Sequence, residues 1–192
     1  SITPDEILPG LSSDSAKLQA AIDYAIANKC NVRLNRTYDI TGSTITYDKG
    51  EFGGGVVRYA TCIIDGKIKK DDSGNFFAGT PNSSDTFFIG VEFTSSGAPN
   101  SYVFNENMIR VNLIGCTFTG VAGLYSNNDA DGYIQSLRCI DCTFTDISDY
   151  AIKFNGCFDL LVSGCICEKS NAFMKCFGSG TYGGSRGLNV VD

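Results

Sequence analysis

The chain has 192 residues and no histidine, which removes the Ser-His-Asp triad, the Cys-His pair and the H-E-x-x-H zinc site before any other residue is weighed. Carboxylate, tyrosine, lysine, arginine and cysteine chemistry remains. Paired carboxylates suit glycoside hydrolysis, where one acid protonates the leaving oxygen and the other activates water or attacks the sugar. The densest acids are Asp129 and Asp131 in the run Ser126-Asn127-Asn128-Asp129-Ala130-Asp131-Gly132-Tyr133, and Asp146 and Asp149 in Asp146-Ile147-Ser148-Asp149-Tyr150. If both bends leave one corner of the fold, their acids meet in a groove. Glu92 is a further, single candidate. Lys153, Arg110 and Arg138 could instead act as bases in elimination from a uronic-acid polymer, with the acids holding calcium. The order Asn128-Asp129-Ala130-Asp131-Gly132 resembles a calcium loop, although it lacks the spacing and final glutamate of an EF-hand. No other cofactor is expected. The same Asp, Asn, Ser and Gly residues are also ordinary turn formers.

Tyr125, Tyr133, Tyr150 and Tyr182 lie in or beside polar bends, where an amphipathic ring can support a sugar face. Tryptophan is absent, which weakens the case for a carbohydrate groove. Cys139-Ile140-Asp141-Cys142 is a lone C-x-x-C; Cys165-Ile166-Cys167 has the wrong spacing to complete it, so no metal site is expected.

The element that must position these residues is a repeat. Asp65-Gly66-Lys67-Ile68, Gly90-Val91-Glu92-Phe93, Gly115-Cys116-Thr117-Phe118, Asp141-Cys142-Thr143-Phe144 and Gly164-Cys165-Ile166-Cys167 recur with anchor spacings of 25, 25, 26 and 23 residues. Within each copy the pattern alternates, so Val91/Phe93, Cys116/Phe118, Cys142/Phe144 and Cys165/Cys167 face an interior while Glu92, Thr117 and Thr143 face water. Thr117 and Thr143 join Glu92 and Lys67 in a hydroxyl-rich strip that could contact an extended polymer. Second strands are expected at Asn107 to Val111, Tyr133 to Leu137 and Tyr150 to Phe154. A period of this length without a helix in each repeat predicts an all-β, right-handed, single-stranded parallel β-helix. Its interior would hold Cys116, Cys142 and Cys165 as a ladder of reduced thiols; nine cysteines is an odd count for a disulfide framework.

From Ser13 to Asn28 the residues Leu18, Ala21, Ile22, Ala25 and Ile26 fall on one helical face, with Ser13 or Asp14 as N-cap. A helix at residues 13 to 29 would cap the first coil of a solenoid spanning residues 30 to 192, after a lead-in at 1 to 12. The runs Asp14 to Asp23 and Asn31 to Ile40, the latter ending Thr37-Tyr38-Asp39-Ile40, resemble the start of pectate-lyase-like β-helix domains in bacteriophage tailspikes. Two departures are the short Leu8 to Ser13 lead-in and Asn35 where the family carries proline. The resemblance implies a virion-tail protein, commonly a homotrimer, that binds and cleaves a bacterial capsule or O-antigen with paired carboxylates. A noncatalytic adhesin or structural segment and a polysaccharide lyase are the alternatives, and secretion is the alternative location.

Net charge is −6, with 21 acidic and 15 basic residues, and no basic cluster exceeds Lys67-Ile68-Lys69-Lys70. Nucleic acid is therefore not an expected partner. No apolar run approaches the about 20 residues of a membrane span. The final stretch, Arg186 to Asp192, reads as a strand without a following cap, so further coils or a partner subunit would be expected to cover it.

Overall fold

The computed structural model describes residues 1–7, 9–10, 13–47, 60–79, 86–97, 101–105, 110–126, 136–155, 159–177 and 188–191. Its strands are short because each coil turns after two to six residues, and they stack in parallel on three faces, forming a β-solenoid. The first face is a seven-stranded sheet of Val32–Arg33, Thr61–Ile64, Thr86–Ile89, Arg110–Ile114, Ser136–Ile140, Asp159–Ser163 and Leu188–Val191. The second is a six-stranded sheet of Thr37–Asp39, Lys67–Lys69, Glu92–Thr94, Thr117–Thr119, Thr143–Thr145 and Ile166–Glu168. The third face carries two sheets, one of Ile45–Tyr47, Phe77–Gly79 and Phe104–Asn105, the other of Leu124–Ser126, Tyr150–Asn155 and Ala172–Phe177.

The anchors of the repeat stack in register on the second face: Tyr38, Ile68, Phe93, Phe118, Phe144 and Cys167 are successive partners. Tyr38 thus belongs to the same column, one coil before the first copy of the repeat. The rings of Phe93, Phe118 and Phe144 lie nearly parallel, with centroids 5.1 and 4.7 Å apart and planes at 8°. Identical side chains recur because each rung must fill the same slot one strand spacing from the last. Cys116 and Cys142 occupy the neighbouring buried column, and Cys165 continues it at partial exposure. Cys30, Cys62, Cys116, Cys139, Cys142, Cys165 and Cys167 are free thiols. The contact with Cys116 raises the Cys142 thiol to about 12.

Each copy begins with Asp or Gly because the bend between the first and second faces needs left-handed backbone. Asp65, Gly90, Gly115, Asp141 and Gly164 have φ of 58°, 65°, 59°, 52° and 62°, and each of the first four donates its N–H to the coil above at 2.9 Å. Aspartate tolerates this region better than most residues. Where it does so, the next rung is constrained: a Cβ at Gly164 would overlap Asp141 Oδ1.

Two expected strands run on beyond Val111 and Leu137, the ends that the alternation suggested. The structure places them at Arg110–Ile114 and Ser136–Ile140, paired residue for residue; residues 107–109 and 133–135 lie outside the described residues. Asn112 and Arg138, beyond the expected strand ends, are outward positions between buried Val111, Leu113, Leu137 and Cys139. The strand at Tyr150 belongs to the third face, so it is not equivalent to the other two.

The capping helix, α2, spans Asp14–Asn28, with Ser13 accepting from Ala16 N at its start and Lys29 in left-handed conformation at its end. Leu18, Ala21, Ile22 and Ala25 are fully buried. A short helix, α1, at Pro4–Ile7 precedes it; Pro4 opens that helix without needing an N–H, and a single turn is too short to show periodicity in sequence. Together they satisfy the starting edge of all three faces. Ile2 donates to Asn31 O at 2.8 Å and accepts from Arg33 N at 2.7 Å on the first face. Asp14 accepts from Asp39 N at 3.0 Å on the second, and Gln19 exchanges two hydrogen bonds of 2.8 Å with the Thr46 backbone on the third. An edge that would otherwise recruit another strand is therefore closed.

A clasp fixes this cap. Arg36 binds Asp5 through Nε at 3.0 Å and Asp14 at 2.7 Å, Lys17 reaches Asp5 at 2.8 Å, and the Tyr38 hydroxyl donates to Asp5 at 3.0 Å. Arg36 is the largest influence holding both carboxyls below the usual range. Because their folded pKa values are depressed, the stabilisation is complete above about pH 4 and fades as pH falls through the folded values. Arg36→Ala should cost about 1–2 kcal/mol at neutral pH, a figure reduced for partial solvent exposure. In thermal melts the gap between variant and wild type should close in acid; a gap independent of pH would remove the clasp from the account.

Candidate functional site

The third face gathers the one cluster in which several of the candidate residues meet. Tyr125 and Lys153 are partners in adjacent strands, and Lys153 pairs in turn with Lys175. All three positions face away from buried Leu124, Ile152 and Phe154. Asp149 and Tyr150 open the strand that carries Lys153. Asp149 Oδ2 lies 2.8 Å from Lys153 Nζ and accepts from the Tyr102 hydroxyl at 2.7 Å. The Tyr102 and Tyr125 ring centroids are 5.1 Å apart. Lys153 Nζ stands 5.1 Å from the Tyr125 centroid and 6.0 Å from those of Tyr102 and Tyr150, while Lys175 Nζ stands 5.3 Å from the Tyr150 centroid.

Local folding explains the placement. The bend between the second and third faces requires left-handed backbone at Asp146, with φ of 54°, in line with Gly120 at 67° and Lys169 at 51°. Ile147 then turns into the core, leaving Asp149 at the mouth of the next strand. Gly123, bridged to Tyr102, lets the following coil approach closely, because a Cβ there would overlap the Tyr150 carbonyl oxygen.

Burial pushes the Asp149 carboxyl up, but the hydrogen bonds from Lys153 and Tyr102 outweigh it and hold the group below the usual carboxylate range. Burial and the adjacent Asp149 push the Tyr102 hydroxyl up. At neutral pH the site therefore presents a carboxylate, a phenol donor, aromatic faces and lysine ammonium groups. That combination can hold a polyhydroxylated ring by stacking and hydrogen bonding. A general acid needs the opposite shift, a carboxyl kept protonated near neutral pH.

The remaining candidates are dispersed. Asp146 is an exposed turn residue whose backbone, rather than its carboxyl, has the evident role. Glu92 is on the second face, paired with Lys67 at 2.8 Å, in the same outward column as Thr117 and Thr143. No second carboxylate adjoins it in that column. Arg138 is exposed on the first face, 3.9 Å from Asp159, and Arg110 is exposed at the start of its own first-face strand. Asp129, Asp131, Tyr133 and Tyr182 lie outside the described residues. Cys139 and Cys142 are both buried, and among the described residues no group of three or more potential ligands could hold a metal ion.

Tyr102 and Lys175 are the site residues that sequence reasoning missed. Tyr102, Tyr125 and Tyr150 are 23 and 25 residues apart, about one coil each, so tyrosine at the period of the repeat was the available signal. No helix among the described residues is long and apolar enough to cross a membrane. Comparison with protein families, with curated proteins and with solved structures finds no match.

Proposed function

We propose that this solenoid binds a bacterial surface polysaccharide through the third-face cluster of Tyr102, Tyr125, Tyr150, Asp149 and Lys153. The observation that carries the proposal is the convergence of three tyrosine rings and the Asp149–Lys153 pair on one face of the solenoid. Holding, rather than cleaving, is the activity proposed for this surface, because each described aspartate or glutamate whose pKa is shifted is shifted downward. The setting of a tailspike-like homotrimer on a virion tail belongs to the same proposal and comes from the resemblance of residues 14 to 45.

Replacing both Tyr125 and Tyr150 by alanine should weaken binding to a retained polysaccharide about tenfold or more, whereas the matching phenylalanine pair, which keeps the ring faces, should lose little. Affinity electrophoresis in gels containing purified capsules and O-antigens would measure both. Unchanged retardation of the alanine pair by every retained polymer would remove the cluster from the binding surface.

A further inference from the structure

The outward side of the second face carries a grid of five threonines. Thr94, Thr119 and Thr145 are register partners in one column, and Thr117 and Thr143 are partners in the other. Rungs one coil apart are separated by about 4.8 Å, and the two columns by about 7 Å, from strand geometry. Behind the grid, Phe93, Phe118 and Phe144 stack nearly parallel, which fixes the strands that carry it. Each threonine is partly exposed, and among the described residues none of the five hydroxyls has a protein hydrogen-bond partner. The neighbouring charges behave differently. Lys67 pairs with Glu92 at 2.8 Å, and Lys69 with Asp71 at 2.5 Å and Asp39 at 3.5 Å.

We infer that this grid is a second binding surface, for an extended uncharged polysaccharide running along the solenoid axis. The inference rests on the reading of the chain as a glycan binder and concerns a different face. A hydroxyl both donates and accepts, as a sugar hydroxyl does, so each coil offers a ring the same pair of groups as the coil before. The methyl groups lie between them as apolar patches for the C–H faces of sugars. Lys67 and Lys69 beside the grid are each paired with acids, and exposed Glu168 continues the Thr145 column, so the border offers no unpaired positive charge to attract an acidic polymer. β-Branched side chains on a stacked core are already restricted in rotamer, which lowers the entropic cost of binding.

The test is affinity electrophoresis of the full chain in gels containing hydroxyethyl cellulose or a neutral O-antigen polysaccharide, with alginate as the acidic comparison. Valine keeps the branched shape and the strand preference while removing the hydroxyl. Replacing Thr117, Thr119, Thr143 and Thr145 together by valine should weaken retardation by the neutral polymers about tenfold or more, and Thr117→Val with Thr143→Val should give an intermediate loss. Circular dichroism should match wild type. Equal retardation of the wild type and both variants, or no retardation of wild type by either neutral polymer, would overturn the inference. Binding of acidic polymers alone, lost on removing Tyr125 and Tyr150, would overturn it while leaving the third-face proposal standing; binding of nothing would sink both. Valine variants that alter only the sedimentation of the chain would assign the grid to a second copy and overturn the glycan reading.

Discussion

Lys70→Ala should cost about 2–4 kcal/mol of folding stability, below the full range for breaking a buried ion pair because the partner left behind, Asp72, is 34% exposed. The Lys70 side chain is 2% exposed, and its Nζ lies 2.9 Å from Asp72 Oδ1 and 2.6 Å from Ser43 O. It sits where the chain leaves the second face, its backbone N–H donating to Thr94 O at 3.0 Å, so the residue ties three consecutive coils together, two through its ammonium and the third through its backbone. Burial pushes the Asp72 carboxyl up, but the hydrogen bond from Lys70 brings it below the usual range. Methionine fills much of the same volume without charge, so Lys70→Met should lose about 1–3 kcal/mol and separate the cavity contribution from the electrostatic one. Denaturant unfolding of both variants measures this. If both lie within about 0.5 kcal/mol of wild type, the range of ordinary surface substitutions, the lysine does not hold the corner.

Gly123→Ala should be similarly damaging, for a different reason. Gly123 has φ of 124°, a region nearly closed to residues with a side chain, and a Cβ there would overlap the carbonyl oxygen of Tyr150 and come within 3.1 Å of Ala151 O. Backbone strain and overpacking together give about 3–5 kcal/mol. The displaced residue opens the strand that bears Lys153, so binding to the third face should fall with stability. Gly115 is the control: its φ is 59°, but a Cβ there would meet nothing within 4 Å. Gly115→Ala should cost only the left-handed penalty of about 1–2 kcal/mol. Equal thermal shifts in the two variants would show that close approach of the coils at Gly123 is not what the position requires.

The solenoid was legible in sequence because both of its periods are short-range. Alternation placed Phe93, Phe118 and Phe144 inward, the repeat length stacked them, and the apolar face of residues 18 to 26 marked the capping helix. Strand limits were less legible because Asn112 and Arg138 are polar for an outward position rather than for a bend, and only pairing with adjacent coils distinguishes the two. Lys70 was hidden within Lys67-Ile68-Lys69-Lys70, a run that reads as solvated, since nothing local says that one of its ammonium groups turns into the core.

The site was only partly legible. Asp149, Tyr150 and Tyr125 stood out as acid and aromatic residues near bends, and the structure brings them together. Tyr102 is 47 residues from Asp149, and its hydroxyl meets that carboxylate only because stacking brings successive coils onto one face. Pairing of acids could not be read from sequence spacing: Asp146 and Asp149 are close in the chain, yet one serves a left-handed turn while the other is held by Lys153 and Tyr102. Glu92, Thr117 and Thr143 belong to a separate face, which appears only once the coil is closed.

The measurement that tests the account most directly is size-exclusion chromatography of a panel of bacterial capsules and O-antigens after incubation with the purified chain, recording bound polymer and released oligosaccharide in the same samples. The account predicts that at least one polysaccharide co-elutes with the protein and keeps its full length. Release of oligosaccharides would contradict the assignment of binding alone, with the ends of the fragments separating hydrolysis from elimination, and failure to retain any polymer would contradict the glycan-binding proposal itself.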